Sequence, residues 1–116
     1  MTPRLLVGER EHRLYPLDPQ KVDYIESDGN YVSIRTGTTA YISRDTIKRL
    51  ATELAQFGFI RIGRSLLVNI SSVAYAQTLG RGRFVFTLCS GASLRSGSGY
   101  RDAILEALPL TSRRPN

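Results

Sequence analysis

Apolar positions recur along this chain at two spacings, and the switches between them mark its elements. Residues 4–7 and 13–17 read as two short strands around the polar run Gly8-Glu9-Arg10-Glu11, which predicts an opening hairpin. Pro16 places the second of these strands at a sheet edge, because proline has no N–H to give to a ladder. Residues 22–26 predict the next strand. The cluster Ser27-Asp28-Gly29-Asn30 predicts a tight turn, with Asp-Gly supplying the positive φ. Val32 and Ile34 then alternate with Tyr31, Ser33 and Arg35, the period of a half-buried strand. Thr36-Gly37-Thr38-Thr39 predicts another turn, and residues 40–42 a short strand.

At Ser43 the period lengthens. Ser43 is a candidate helix cap with Asp45 in the first turn, and Ile47, Leu50, Ala51, Leu54 and Phe57 recur at helical spacing until Gly58 supplies a stop. Residues 59–69 read Phe-Ile-Arg-Ile-Gly-Arg-Ser-Leu-Leu-Val-Asn: two arginines inside an apolar run that ends on an asparagine able to close a turn through its side-chain amide. Residues 73–78 and 84–89 predict strands joined by Leu79-Gly80-Arg81-Gly82-Arg83, with a last short strand at 92–95. Ser96-Gly97-Ser98-Gly99 leads into a helix whose apolar face is Tyr100, Ile104, Leu105 and Leu108, stopped by Pro109. The predicted class is mainly β (β-rich α+β), with short antiparallel strands, one central helix and a C-terminal helix. A single domain is expected over residues 1–109, and a basic, mobile tail over 110–116.

A length of 116 residues suits one core. No long apolar run marks a membrane span, and the start Met-Thr-Pro-Arg lacks the apolar stretch of a signal peptide, so a cytoplasmic location is expected. Net charge is +6, and of the 16 basic residues only Lys21 and Lys48 are lysines. High-GC codon usage explains such a bias as well as function does, so the clustering carries more. From Leu54 to Arg101 there is no Asp or Glu, while Arg61, Arg64, Arg81, Arg83, Arg95 and Arg101 all lie there. That is a footprint for a polyanion.

Other chemistry finds little support. Cys89 follows Phe86, Thr87 and Leu88 and is expected to be a buried structural thiol. His12 has no companion His or Cys cluster, which argues against a metal site or a His-based catalytic centre. The G-x-G pairs at 80/82 and 97/99 lack a surrounding βαβ unit, so no nucleotide cofactor is expected. Glu26 and Asp28 are paired carboxylates at a turn, where Asx capping explains the aspartate equally well. No catalytic residues are assigned, and the chain is not read as an enzyme.

Three segments go further. Val22-Asp23-Tyr24-Ile25-Glu26-Ser27-Asp28-Gly29-Asn30-Tyr31-Val32, then Ser43-Arg44-Asp45-Thr46-Ile47 opening a helix, then residues 59–69, resemble the LytTR family in order and spacing. These are DNA-binding output domains of LytR/AlgR-type bacterial regulators, and the likeness covers residues 13–108. The resemblance implies an elongated, mainly β domain that reads double-stranded DNA through loops rather than a recognition helix, as part of a transcriptional or two-component system. It also allows a second copy on repeated half-sites, and a sensor or receiver protein acting in trans.

The family's readers fall on three segments. The first is the turn with Asn30 and Tyr31, where Asn30 contacts adenine, or supports the loop, or is simply the positive-φ residue. The second carries Arg64 and Ser65, with Gly63 replacing a common histidine. Arg61 alternates with its apolar neighbours and is a candidate partner for Glu26 or Asp28. The third precedes Tyr100, where the family commonly has Ser-Arg two residues ahead of the tyrosine and this chain has Gly97-Ser98. Either Arg95 or Arg101 takes over that contact beside Ser98, or the domain reads a shorter or different sequence there. Arg44, Lys48 and Arg49, on the central helix, are either phosphate contacts or a solvated face. The alternative functions are an interaction module that keeps the fold without specific DNA reading, and a single-strand RNA binder stacking bases on Tyr24, Tyr31, Tyr41, Tyr75 and Tyr100, which core and edge packing explain equally well.

Overall fold

A computed structural model of the chain describes residues 6–108. Its strands are β1 (Leu6–Arg10), β2 (Arg13–Leu17), β3 (Tyr24–Asp28), β4 (Tyr31–Thr36), β5 (Thr39–Ser43), β6 (Phe59–Gly63), β7 (Leu66–Asn69), β8 (Val73–Gly80), β9 (Arg83–Leu88) and β10 (Ser93–Arg95). Its helices are α1 (Ile47–Leu54) and α2 (Arg101–Ala107). Seven strands form one antiparallel sheet in the order β2-β1-β5-β4-β3-β7-β6, and three form a second, β10-β9-β8. The molecule is elongated, 51 × 33 × 25 Å. The mainly β class with two helices is what the alternation predicted.

Two apolar cores flank the larger sheet. Adjacent residues on a strand point to opposite faces, and the β6–β7 pair uses both. Phe59 and Leu67 join Ile25, Ile34, Ile47, Leu50 and Leu54 under α1. Ile62 and Val68 join Phe84, Phe86, Leu88, Leu94 and Ile104, beneath the smaller sheet and α2. Burying each such side chain contributes roughly 1.5–3 kcal/mol. Between Arg61 and Gly63 the β6–β7 register shifts by one residue, a bulge that bends the strand just before its turn.

Several expected boundaries move, each for a local reason. The first hairpin turns at Glu11 and His12 (φ +55° and +64°), not over Gly8–Glu11. Gly8 is a packing glycine instead: a Cβ there would lie 2.5 Å from Tyr41 Cβ. β3 begins two residues later than expected, because a 3-10 turn at Pro19–Lys21, capped by Asp18, occupies the approach. Pro16 is on β2, a sheet edge, as expected. The β8–β9 loop shrinks to the pair Arg81-Gly82.

The central helix is capped by Thr46, whose hydroxyl accepts from the Arg49 N–H (3.1 Å). Ser43 belongs to β5, and its hydroxyl accepts from the Asp45 N–H (3.3 Å). The predicted apolar face holds: Ile47, Leu50 and Leu54 are buried, Ala51 and Phe57 pack beside them, and Gly58 ends the segment at φ +87°. Cys89 is exposed, against expectation. Phe84, Phe86 and Leu88 take the inward phase of β9, which leaves the following odd position outside. The expected tail, residues 110–116, and the stop at Pro109 lie outside the described residues.

Asn69 is the polar centre of the fold and is 1 % exposed. Its Nδ2 donates to the Val22 carbonyl (2.9 Å), and its Oδ1 accepts from the Ser71 N–H (3.1 Å) and hydroxyl (2.8 Å). It closes a turn, as its place at the end of the apolar run suggested. Asp23 makes a second tie, accepting from the Gly37 N–H (2.8 Å) and the Ser72 hydroxyl (2.9 Å).

Candidate nucleic-acid interface

Four segments meet at one end of the molecule because of strand register. β3 is antiparallel to both β4 and β7, with Asp28 opposite Tyr31 and Glu26 opposite Leu66. The turns Gly29-Asn30 and Arg64-Ser65 therefore leave the sheet side by side, joined by the Ser27 N–H donating to the Ser65 carbonyl (2.9 Å). The Gly97 N–H donates to the Ile62 carbonyl (2.8 Å), so the segment entering α2 runs next to the second turn. A Cβ at Gly82 would lie 3.3 Å from Arg101 Cδ and 3.4 Å from the Ser98 carbonyl oxygen. The β8–β9 turn thus rests on the start of α2.

Asn30, Tyr31, Arg64, Ser65, Ser98 and Arg101 are all exposed along this row. Arg95 is also exposed, on β10, with Leu94 turned to the core beside it. In the first turn the positive φ belongs to Gly29 (+70°); Asn30 is not left-handed, so the backbone does not require asparagine there. Asn30 and Tyr31 instead border a groove of about 520 Å³ shared with Asp28, Ile42 and Arg44. Arg44 reaches this end because Ser43 pairs with Val32.

Arg61 does not pair with Glu26 or Asp28. Its guanidinium donates to the carbonyls of Gly63 (3.2 Å) and Arg64 (2.8 Å), bracing from below the turn that carries Arg64 and Ser65. The spacing of Arg61 and Arg64 gave no hint of this, since both lie in the same apolar run; Arg61 turns back onto the Gly63 and Arg64 carbonyls at the bulge. Arg101 lies 3.6 Å from Asp102 in a solvent-exposed pair, which holds it weakly.

The cations of α1 are less available than their exposure on a helical wheel suggests. Arg49 is held by Asp45 and by Glu53 (2.6 Å). The hydrogen bonds it donates to the Asp45 carboxylate raise its pKa above the ordinary arginine value. The apolar stripe of the helix is in the core, so α1 offers Lys48 but no free arginine fork. Among the described residues no group of three or more His, Cys, Asp or Glu stands together as metal ligands, and no helix is long and apolar enough to cross a membrane.

The geometry can be set beside known proteins. A search of the curated proteins finds no match. Among solved structures, the chain is similar to the LytTr DNA-binding domain of a methyl-accepting/DNA response regulator from Bacillus cereus. The TM-score is 0.83 at 16% identity, over 90% of this chain and 96% of that one. At that identity the likeness establishes the fold. A family model, the LytTr DNA-binding domain, matches residues 12–109. Its span takes in nearly all of the two-sheet framework and every turn of the exposed row, so the chain belongs to the LytTR family of DNA-binding domains.

Proposed function

We propose that this domain binds double-stranded DNA sequence-specifically, as part of a bacterial transcriptional regulator, through its turns rather than a helix. The observation that carries this is the row at one end of the fold, where Asn30, Tyr31, Arg64, Ser65, Ser98 and Arg101 are exposed together. Arg95, exposed on β10 two residues before Gly97, is counted with it. Guanidinium groups neutralise phosphates and fork onto guanine edges, while the asparagine amide and serine hydroxyls suit adenine and phosphate. A second copy on repeated half-sites, a sensor or receiver protein in trans and a cytoplasmic location all fit this reading.

A fluorescence-anisotropy titration against a pool of genomic fragments tests it. Binding that weakens steeply with salt and prefers some fragments is the expected result. Affinity for every fragment no higher than for mixed-sequence duplex removes the claim of specificity.

One observation favours an interaction module instead. β8 is a sheet edge with exposed, uncharged residues along most of its length, including Tyr75 at 59 % and Leu79 at 46 % exposure. Unpaired edges are surfaces for strand addition. Co-purification of a regulator partner without any salt-dependent duplex affinity supports that reading over DNA binding.

A further inference from the structure

We infer that Arg81, on the β8–β9 turn, is a DNA-phosphate contact of this interface. The inference rests on the DNA-binding reading above and extends it to an element outside the three segments that the sequence singled out.

The turn is a two-residue connection in which Arg81 has φ +56° and Gly82 φ +77°. Positive φ at both central positions favours glycine and asparagine, because a Cβ crowds the carbonyl in the left-handed region. An arginine there is a costly choice for a connection that needs no long side chain. Gly82 lies against the third segment: a Cβ there would meet Arg101 Cδ at 3.3 Å and the Ser98 carbonyl oxygen at 3.4 Å. The turn is therefore docked against the third segment at a fixed place, and its neighbour Arg81 projects from that dock, exposed.

Charge points the same way. Arg81 has no hydrogen bond or ion pair among the described residues, unlike Arg61, Arg35 and Arg49, whose guanidinium groups are engaged inside the protein. No Asp or Glu lies between Leu54 and Arg101, so the β8–β9 hairpin contributes no counter-ion of its own. Contacts in order run from Ile62, two residues before Arg64, through Gly97 and Ser98 to Gly82. The tip meets the row at Ser98 and Arg101, so a duplex lying along that row would bring its backbone beside the tip. An unpaired guanidinium on a held turn gives affinity without reading sequence.

The test compares the parent, Arg81→Gly, Arg81→Lys and Arg64→Ala for binding to a mixed-sequence duplex and to a preferred fragment across a salt series. Glycine relieves the left-handed backbone, so Arg81→Gly keeps the fold, which a thermal melt checks. Its affinity is expected to fall roughly five- to tenfold near 0.1 M salt, equally on both duplexes, with the salt slope reduced by about one. Arg81→Lys is expected to restore most of the slope. Unchanged affinity and slope in Arg81→Gly, while the parent binds and Arg64→Ala weakens it, overturn this inference alone. A loss confined to the preferred fragment, with the slope intact, overturns the phosphate role in favour of base reading. A parent that binds neither duplex overturns the DNA-binding reading itself, and this inference with it.

Discussion

Asn69→Ala is expected to destabilise the domain by about 2–3 kcal/mol, lowering its melting temperature by roughly 10–15 °C. The side chain is 1 % exposed and uses both ends of its amide. Truncation leaves the carbonyl of the fully buried Val22 without its 2.9 Å donor and releases the 3-10 turn that Asn69 caps. A buried acceptor left unmet costs the desolvation of that group, not only the lost bond. Asn69→Asp separates the two halves of the network. It keeps the acceptor for Ser71 but turns the donor into a second oxygen facing Val22, and at neutral pH it buries a charge. It is therefore expected to be at least as damaging as alanine. A melt within two or three degrees of the parent for both variants removes Asn69 from its structural role.

The second large effect is on binding and leaves the fold alone. Arg64→Ala is expected to cost about 1–3 kcal/mol of duplex affinity, roughly 5- to 150-fold, with no change in melting temperature. The side chain is exposed and makes no hydrogen bond within the described residues, while the carbonyl that accepts from Arg61 is backbone and survives the substitution. Anisotropy titration and a thermal melt on the same preparation check the two halves of the expectation. Arg61→Ala is the informative contrast: losing both of its bonds to the turn lowers stability and affinity together. Affinity unchanged in Arg64→Ala takes that residue out of the interface.

What could be read from the chain was whatever depends on short-range period. Val32 and Ile34 announce β4, and Ile47, Leu50 and Leu54 announce the buried face of α1, because one buried face imposes its spacing locally. Glycine misled where its role was tertiary. Gly8 resembles a turn signal, yet it is there to admit Tyr41. Ser43 and Thr46 are both competent caps, and the choice fell to Thr46 because Ser43 was needed to pair with Val32. Cys89 was misjudged by a single strand step.

The candidate site was legible as a list but not as a surface. Exposure of Arg64 and Ser65 followed from their break in the apolar run. Arg61 braces their turn at a bulge, and that the Arg81 tip meets Ser98 depends on β10 returning along β9. Neither event leaves a local mark on composition or period. Asn30 shows the opposite case: the structure supplies a glycine for the left-handed position, and so leaves the asparagine without a backbone reason to be there.

The β6–β7 hairpin is the wall common to both cores, with Phe59 and Leu67 on one side and Ile62 and Val68 on the other. Neither layer can open to solvent without exposing part of that wall. The amides of Leu67 and Val68 should accordingly exchange with deuterium only through global unfolding, while the exposed β8 exchanges early. The turn bearing Arg64 and Ser65 is thus expected to emerge from the slowest-exchanging part of the chain, its position set by the hairpin that both cores share.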